Sequence, residues 1–221
     1  EGEDVITIPD YEEKDGELKM IFNKNNPVFV RPKIRSGVLK DILTELLGAR
    51  KQVKKQMKSV NKKDFLYAVL NGRQLALKVI CNSLYGFTAG YIIYEPKIAS
   101  SVTKYGRGLI LQTKYGIENN SRFGKCKCIY GDTDSCFFEL DDKYCKGTLE
   151  EQIETSYKVG EEMADFVTKL FLSPILMEFE KTYKPFLLKG KKRYFGDKFE
   201  PGRNVETDIK GFAAVRRDYC P

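Results

Sequence analysis

Two carboxylates stand two residues apart in Ile129-Tyr130-Gly131-Asp132-Thr133-Asp134-Ser135, with apolar residues on both sides. Two β-leaning runs separated by Gly-Asp predict a β-hairpin. Residues two apart on a strand or tight turn project to the same side, with Cα atoms ~6.5–7 Å apart. Asp132 and Asp134 can therefore aim two carboxylates at one point. Like charges held together are unfavourable unless something cationic sits between them, and carboxylate oxygens with a few waters are what Mg²⁺ accepts. A solvated turn in which Asp merely tolerates the backbone geometry explains the same residues. The D-x-D spacing by itself leaves both readings open.

Three further groups could act on a substrate beside such a metal. Arg50 and Lys54 are four apart and, on a helix, share a face with ~6 Å of rise between them. Gln74, Lys78, Asn82 and Tyr85 fall at i, i+4, i+8 and i+11, again one helical face, with Leu77, Val79 and Ile80 pointing away from it. Donors converging from two helices can grip a triphosphate, Arg through its fork geometry and Lys as a point charge. Lys78 to Tyr85 spans ~10 Å of helix axis, about the distance from a nucleotide's phosphates to its base and sugar. Gly86 follows at once and lets another backbone or a base pair come close. Lys51, Lys55 and Lys58 read instead as a solvated face. The run Lys189-Gly-Lys191-Lys192-Arg193-Tyr194-Phe195 makes a phosphate-contacting patch with aromatic bulk, and Arg216 and Arg217 add a second basic element. Glu178 and Glu180 alternate on an expected strand; auxiliary carboxylates and outward-facing strand residues are equally good descriptions of them.

The elements that must position these groups follow from periodicity. Val38, Leu39, Ile42, Leu43, Leu46 and Leu47 mark an amphipathic helix with Ser36 as its cap. After a polar break at 59–64 a second helix is expected from 64 to about 85, making a helical hairpin. A third helix is expected over 98–117 and a fourth over 149–172, followed by strands at 176–180, 185–188 and 193–195. Residues 1–26 read as a loop or edge strands, and 27–35 as a short extended piece limited by Pro32. The fold class is α+β, with the helical hairpin and the α+β remainder forming two interleaved subdomains.

The bulk numbers restrict the chemistry. The 221 residues suffice for one or two domains with a real core. An excess of 38 basic over 31 acidic residues, net +7, favours a polyanionic partner. No apolar run approaches 18 residues, so no membrane span and no secretory leader are expected. Six scattered cysteines fit no zinc ribbon or finger, and a reducing compartment suits them. The absence of histidine removes Ser-His and Cys-His pairs, leaving carboxylates and metal to carry any catalysis.

Together the motifs resemble one family. Lys78-Val-Ile-Cys-Asn82-Ser-Leu-Tyr85-Gly86 resembles the K-x-x-x-N-S-x-Y-G fingers motif of family B DNA polymerases. Tyr130-Gly-Asp132-Thr-Asp134-Ser135 is similar to their Y-G-D-T-D-S palm motif, and Lys191-Lys192-Arg193-Tyr194 to their K-K-R-Y primer–template motif. Order and spacing agree, and the likeness is greatest to delta-like replicative and large-DNA-virus enzymes. The resemblance implies helical-hairpin fingers (36–95) inserted in a palm with an antiparallel sheet (96–221), preceded by an incomplete N-terminal palm segment (1–35) and ending before a thumb. It implies two-metal transfer of a deoxynucleotide to a primer 3′-hydroxyl. Asp134 would ligate the catalytic Mg²⁺ ions, with Asp132 at the same metal site in support. Arg50, Lys54, Lys78 and Asn82 would bind the incoming triphosphate, with Tyr85 and Gly86 against the nascent base pair. Lys191, Lys192, Arg193 and Tyr194 would hold the primer end. Partners would be primer–template DNA, deoxynucleoside triphosphates and a processivity factor. The place of work would be a nucleus for a cellular source, and a host nucleus or cytoplasmic replication site for a viral one.

One departure stands against these matches. The family's D-x-x-S-L-Y-P motif, which carries the other catalytic aspartate, has no counterpart in residues 1–35, where Asp10-Tyr11 lacks the Ser and the Leu-Tyr-Pro. The expectation is an internal fragment, inactive alone, whose metal site an absent aspartate completes. Two other classes compete. A non-catalytic polymerase relative acting as a structural subunit would usually lose the carboxylates, which are present here. A D-x-D sugar transferase is opposed by the basic excess, the Lys78–Tyr85 face and the K-K-R-Y run.

Overall fold

The computed structural model describes residues 4–91 and 94–215; Arg216, Arg217 and Cys220 lie outside the described residues. The chain divides into two compact units, one formed by Glu1–Asp10 and Met20–Tyr105, the other by Tyr11–Lys19 and Gly106–Pro221.

In the first unit β1 (Val5–Thr7) pairs antiparallel with β4 (Val28–Val30), Val5 opposite Val30. Buried Asn26 holds this region by donating from Nδ2 to the carbonyls of Ile8 (2.7 Å) and Ile21 (3.3 Å). The helical hairpin follows, as α1 (Val38–Lys58) and α2 (Phe65–Ala89). Along α1 the less exposed residues are Leu39, Leu43, Leu46, Ala49, Arg50, Val53 and Met57; along α2 they are Tyr67, Leu70, Gln74, Leu77, Cys81, Leu84 and Thr88. Steps of three and four keep each stripe on one side of its helix, and the two stripes form an antiparallel seam. Ser36 is not the cap: Gly37 takes that position, while the Ser36 hydroxyl donates to Asp41 Oδ1 at 2.7 Å. Val79 and Ile80 turn away from the basic face as expected, but towards solvent.

The second unit begins with a tight turn at Asp15-Gly16, both at positive φ, which joins β2 (Asp10–Lys14) to β3 (Glu17–Ile21). Helix α3 (Pro96–Glu118) ends in this unit, and its last turns meet α4 (Leu149–Leu170) in the core. Ile117, Phe123, Cys126, Val159, Met163 and Val167 are buried there; Phe123 lies edge-on to Phe166 with ring centroids 5.7 Å apart. Helix α4 starts on a capping box in which Glu151 accepts from the Thr148 backbone N–H at 2.7 Å and Thr148 Oγ1 accepts from that of Glu151 at 3.4 Å. The sheets are antiparallel: β5 (Lys127–Asp132) with β6 (Ser135–Glu139), and β7 (Thr182–Gly190), β8 (Arg193–Phe199) and β9 (Glu206–Lys210) in that order. The α+β class is as the sequence reading expects.

Two local expectations are overturned. Residues 176–180 are not a strand. The backbone N–H and carbonyl of Met177 both bond Thr168 Oγ1 on α4 (2.9 and 3.2 Å), so this stretch is tied to a helix rather than to a neighbouring strand. Phe179 packs over Gly160 and beside Tyr157, leaving Glu178 and Glu180 exposed on the other side. The β5–β6 turn is also not Gly131-Asp132. Those residues belong to β5, and the two-residue turn is Thr133-Asp134.

Candidate active site

The hairpin tip is fixed by its backbone. Asp132 lies opposite Ser135, Thr133 sits at φ 57°, and the Asp134 N–H donates to the Asp132 carbonyl at 2.6 Å. The Ser135 hydroxyl donates to the same carbonyl at 3.1 Å. A β-branched residue in the left-handed region is uncommon, and here these two bonds hold it. Asp132 thus ends a strand, whereas Asp134 projects from the turn itself.

Asp132 is heavily engaged. Lys192 Nζ donates to its two carboxylate oxygens at 2.8 and 2.9 Å, Thr133 Oγ1 donates at 3.1 Å, and the Tyr130 hydroxyl donates at 3.3 Å. The Lys192 ammonium, aided by the two hydroxyls, holds the Asp132 carboxyl below its ordinary range against a smaller opposing effect of burial. Asp132 in turn raises the Lys192 ammonium above its own ordinary value.

Lys192 reaches Asp132 because Lys191-Lys192 is the two-residue turn between β7 and β8, closed by the Gly190–Arg193 pair. Lys192 is itself left-handed, at φ 59°, and its backbone N–H donates to the Tyr130 hydroxyl at 2.9 Å. The two turns are also held by rings. Tyr130 and Tyr194 have centroids 6.0 Å apart, Phe137 and Tyr194 5.4 Å, and Phe137 and Phe186 5.6 Å. Aromatic contacts at such separations contribute about 0.5–1.5 kcal/mol each beyond their buried area. Tyr194 is therefore half-buried packing, whereas Lys191 and Arg193 stay exposed.

Asp134 contrasts with Asp132. It is exposed, and among the described residues its side chain makes no hydrogen bond or ion pair. It borders a cavity of about 620 Å³ that Glu178 and Glu180 also line. No group of three potential metal-ligating side chains gathers among the described residues. Magnesium commonly takes one or two carboxylates and keeps several waters. The free carboxylate of Asp134 fits that demand, whereas Asp132 is neutralised by Lys192 and fits a supporting place.

In the first unit Arg50 and Gln74 occupy the α1–α2 seam, where Arg50 Nε and Gln74 Oε1 are buried without a partner among the described residues. Gln74 thus leaves the face on which its spacing from Lys78 placed it. Lys54, Lys78, Asn82 and Tyr85 are exposed, and a Cβ at Gly86 would meet nothing within 4 Å. Lys78, Asn82 and Tyr85 keep one outward face.

Two residues that shape the site were not singled out from sequence. Tyr130 stands two before Asp132, inside the quoted motif, and links Asp132 to the Lys192 backbone. Gly211, at φ 69°, lies so close to Lys192 that a Cβ there would overlap the Lys192 carbonyl oxygen.

Comparison with known proteins gives this geometry a lineage. The DNA polymerase delta catalytic subunit of Oryza sativa subsp. japonica is 42% identical over 200 residues, 87% of this chain and 17% of the relative. That of Drosophila melanogaster is 43% identical over 204 residues, 89% of this chain and 18% of the relative. The solved family B DNA polymerase from the hyperthermophilic archaeon Pyrobaculum calidifontis superposes with a TM-score of 0.51 at 28% identity, covering 82% of this chain and 21% of that one. The chain spans about a fifth of the length of these relatives. A family model described as DNA polymerase family B matches residues 5–221. With the Y-G-D-T-D-S turn and the K-K-R-Y turn bonded to one another, and a family match over nearly all its residues, the chain belongs to DNA polymerase family B.

Proposed function

We propose that this chain serves DNA-templated DNA synthesis, with residues 36–95 as the fingers hairpin, 96–221 as palm and 1–35 as an N-terminal palm segment. The observation that carries the proposal is the division of labour at one hairpin tip: Asp134 exposed and unpaired among the described residues, Asp132 clamped by Lys192. The names of the relatives support it, since each is the catalytic subunit of a DNA polymerase.

In this reading Asp134 holds magnesium, with Asp132 in support and further carboxylates completing a two-metal site. Bound magnesium supplies Lewis-acid activation and neutralises charge on the phosphates. Lys54, Lys78 and Asn82 bind the triphosphate of the incoming nucleotide, and Arg50 turns its guanidinium to it from the seam. Tyr85 and Gly86 form the wall against the new base pair, where fit is tested before chemistry. Lys191 and Arg193 neutralise backbone phosphates of the primer–template. Lys192, kept in place by Asp132 and Tyr130, orients the primer end, and Tyr194 anchors that turn. The primer 3′-oxygen attacks the α-phosphorus, the bond to the β-phosphate oxygen breaks, and pyrophosphate leaves. A nucleus is the place of work this reading implies.

The test is template-directed incorporation, with magnesium, by this chain joined to upstream sequence that carries the D-x-x-S-L-Y-P motif. The expected result is extension by the complementary nucleotide only, lost on chelation. Tight primer–template binding with no incorporation would overturn the proposal in favour of a structural subunit.

A further inference from the structure

The positive charge of the chain is concentrated in one place. Residues 46–63, between Glu45 and Asp64, hold seven basic residues and no acid. Taking these seven from the 38 basic residues leaves 31 against 31 acidic ones, so the net +7 lies wholly in this stretch. It forms the second half of α1 and the turn into α2, the closed end of the helical hairpin.

By type and spacing Lys51, Lys55 and Lys58 read as a solvated face, but helix energetics do not account for such a run. The helix dipole favours cations only in the last turn, which holds Lys55 and Lys58. Arg50–Lys54, Lys51–Lys55 and Lys54–Lys58 are like-charged pairs four apart, each of which destabilises a helix. Among the described residues none of the seven has a carboxylate partner, whereas Lys158, Lys198 and Lys210 each have one within 3.0 Å. Lys51, Lys55 and Lys58 fall at i, i+4 and i+7 on the side of α1 away from the Val53 and Met57 seam, and all three are exposed. An aromatic ring stands bare at the same end: Phe65, the first residue of α2, is 85% exposed.

We propose that this end of the hairpin binds single-stranded DNA, with Lys51, Lys55, Lys58, Lys62 and Lys63 along the phosphates and Phe65 against a base. Sites of this kind join a basic track to aromatic rings, because every base has a face to stack whatever the sequence. Lys51 to Lys58 spans ~10 Å of helix axis, about three phosphates at the ~3.4 Å rise of a stacked strand. A duplex keeps its bases stacked on one another and offers Phe65 none. An acidic protein segment would use the lysines and leave the bare ring without a role. On the polymerase reading above, on which this last step rests, the strand is the unpaired template ahead of the new base pair. Phe65 and Tyr85 are ~30 Å apart along α2, so about nine stacked nucleotides reach from one to the other.

The experiment follows the fluorescence anisotropy of a labelled oligothymidylate titrated with the 221-residue chain across a salt series, without magnesium or nucleotide. Each phosphate contact on a single strand contributes ~0.7 to the salt slope, so Lys51→Gln/Lys55→Gln/Lys58→Gln is expected to flatten it by about 2. Gln matches Lys in helix propensity and relieves the like-charged pairs, so the circular dichroism of this variant is expected to stay that of the parent. Phe65→Ala is expected to weaken binding about 5- to 150-fold at an unchanged slope. An unchanged slope in the triple variant, an unchanged affinity in Phe65→Ala, or competition by polyglutamate as strong as by oligothymidylate of equal charge would overturn the site. This readout involves no nucleotide transfer, so it fails or holds apart from the polymerase reading. The template assignment is read on primer–templates with overhangs of about 2 and about 15 nucleotides, short of and beyond the reach from Tyr85. The long overhang is expected to bind more tightly in the parent chain alone; no gain from it, or a gain that the triple variant keeps, would overturn that assignment.

Discussion

Replacing Gly211 by alanine tests how the Lys192 turn is held, because two separate costs meet at one position. Gly211 has φ 69°, and a left-handed conformation costs an L-residue with a Cβ roughly 1–2 kcal/mol. A Cβ there would also overlap the Lys192 carbonyl oxygen and approach the Lys192 carbonyl carbon to 3.1 Å. Both atoms are backbone of a two-residue turn, so no flexible side chain can swing aside. Overpacking of this kind adds about 1–3 kcal/mol. Gly202→Ala is the matched control, since Gly202 has φ 71° but a Cβ there would meet nothing within 4 Å. In urea unfolding, Gly202→Ala is expected to lose about 1–2 kcal/mol and Gly211→Ala about 2–5 kcal/mol. For a chain of this size each kcal/mol lowers Tm by about 2–4 °C. Only Gly211→Ala displaces Lys192 from Asp132, so only it is expected to weaken primer–template binding. Equal stability losses with equal DNA affinity in the two variants would refute the claim that Gly211 seats Lys192.

Further outcomes follow from the same geometry. Gln74→Leu removes a buried amide oxygen that lacks a partner among the described residues and is expected to stabilise the helical hairpin by about 1–3 kcal/mol in urea unfolding; a loss of stability would show that the amide oxygen is satisfied. Lys192→Met removes the ammonium that depresses the Asp132 carboxyl, so carboxyl NMR titration is expected to show the Asp132 pKa rising towards the ordinary aspartate value. The sign follows from linkage. A folded pKa below the unfolded one adds stability that is present above about pH 3.9 and is lost as pH falls through the depressed folded value. The Asp132 share of the acid-limb loss is therefore expected to shrink in Lys192→Met, and an unchanged Asp132 titration would contradict the pairing.

The elements that sequence places well are those with strong periodicity. The four long helices fall within a few residues of their expected bounds because apolar steps of three and four leave few alternatives. The seam residues of the helical hairpin were harder, because Arg50 and Gln74 interrupt the apolar stripe with polar groups that read as surface. Gln74 lies where the seam and the Lys78–Asn82–Tyr85 face meet, so helical spacing fits both, and packing decides for the seam. The β2–β3 hairpin had a readable signal in Asp15-Gly16, a pair favoured where both turn residues need positive φ. Residues 176–180 keep the alternating exposure of a strand, but their backbone partner is a threonine side chain nine residues back. Such a contact has no periodic signature. At the site, chain order announced the two turns but not that they meet. The Lys192–Asp132 bond joins residues 60 apart and depends on the left-handed Lys192, which composition does not mark.

The central claim is that Asp134 holds the metal while Asp132, clamped by Lys192, positions its surroundings. Single-turnover primer extension by this chain joined to upstream sequence that carries the D-x-x-S-L-Y-P motif, at saturating magnesium and primer–template, separates the two roles with Asp134→Asn and Asp132→Asn. The account predicts that Asp134→Asn abolishes nucleotide transfer while DNA binding persists. It predicts that Asp132→Asn keeps measurable transfer and loses primer-end positioning, seen as weaker primer–template affinity. Transfer surviving in Asp134→Asn, or lost equally in both variants with DNA binding unchanged, would contradict it.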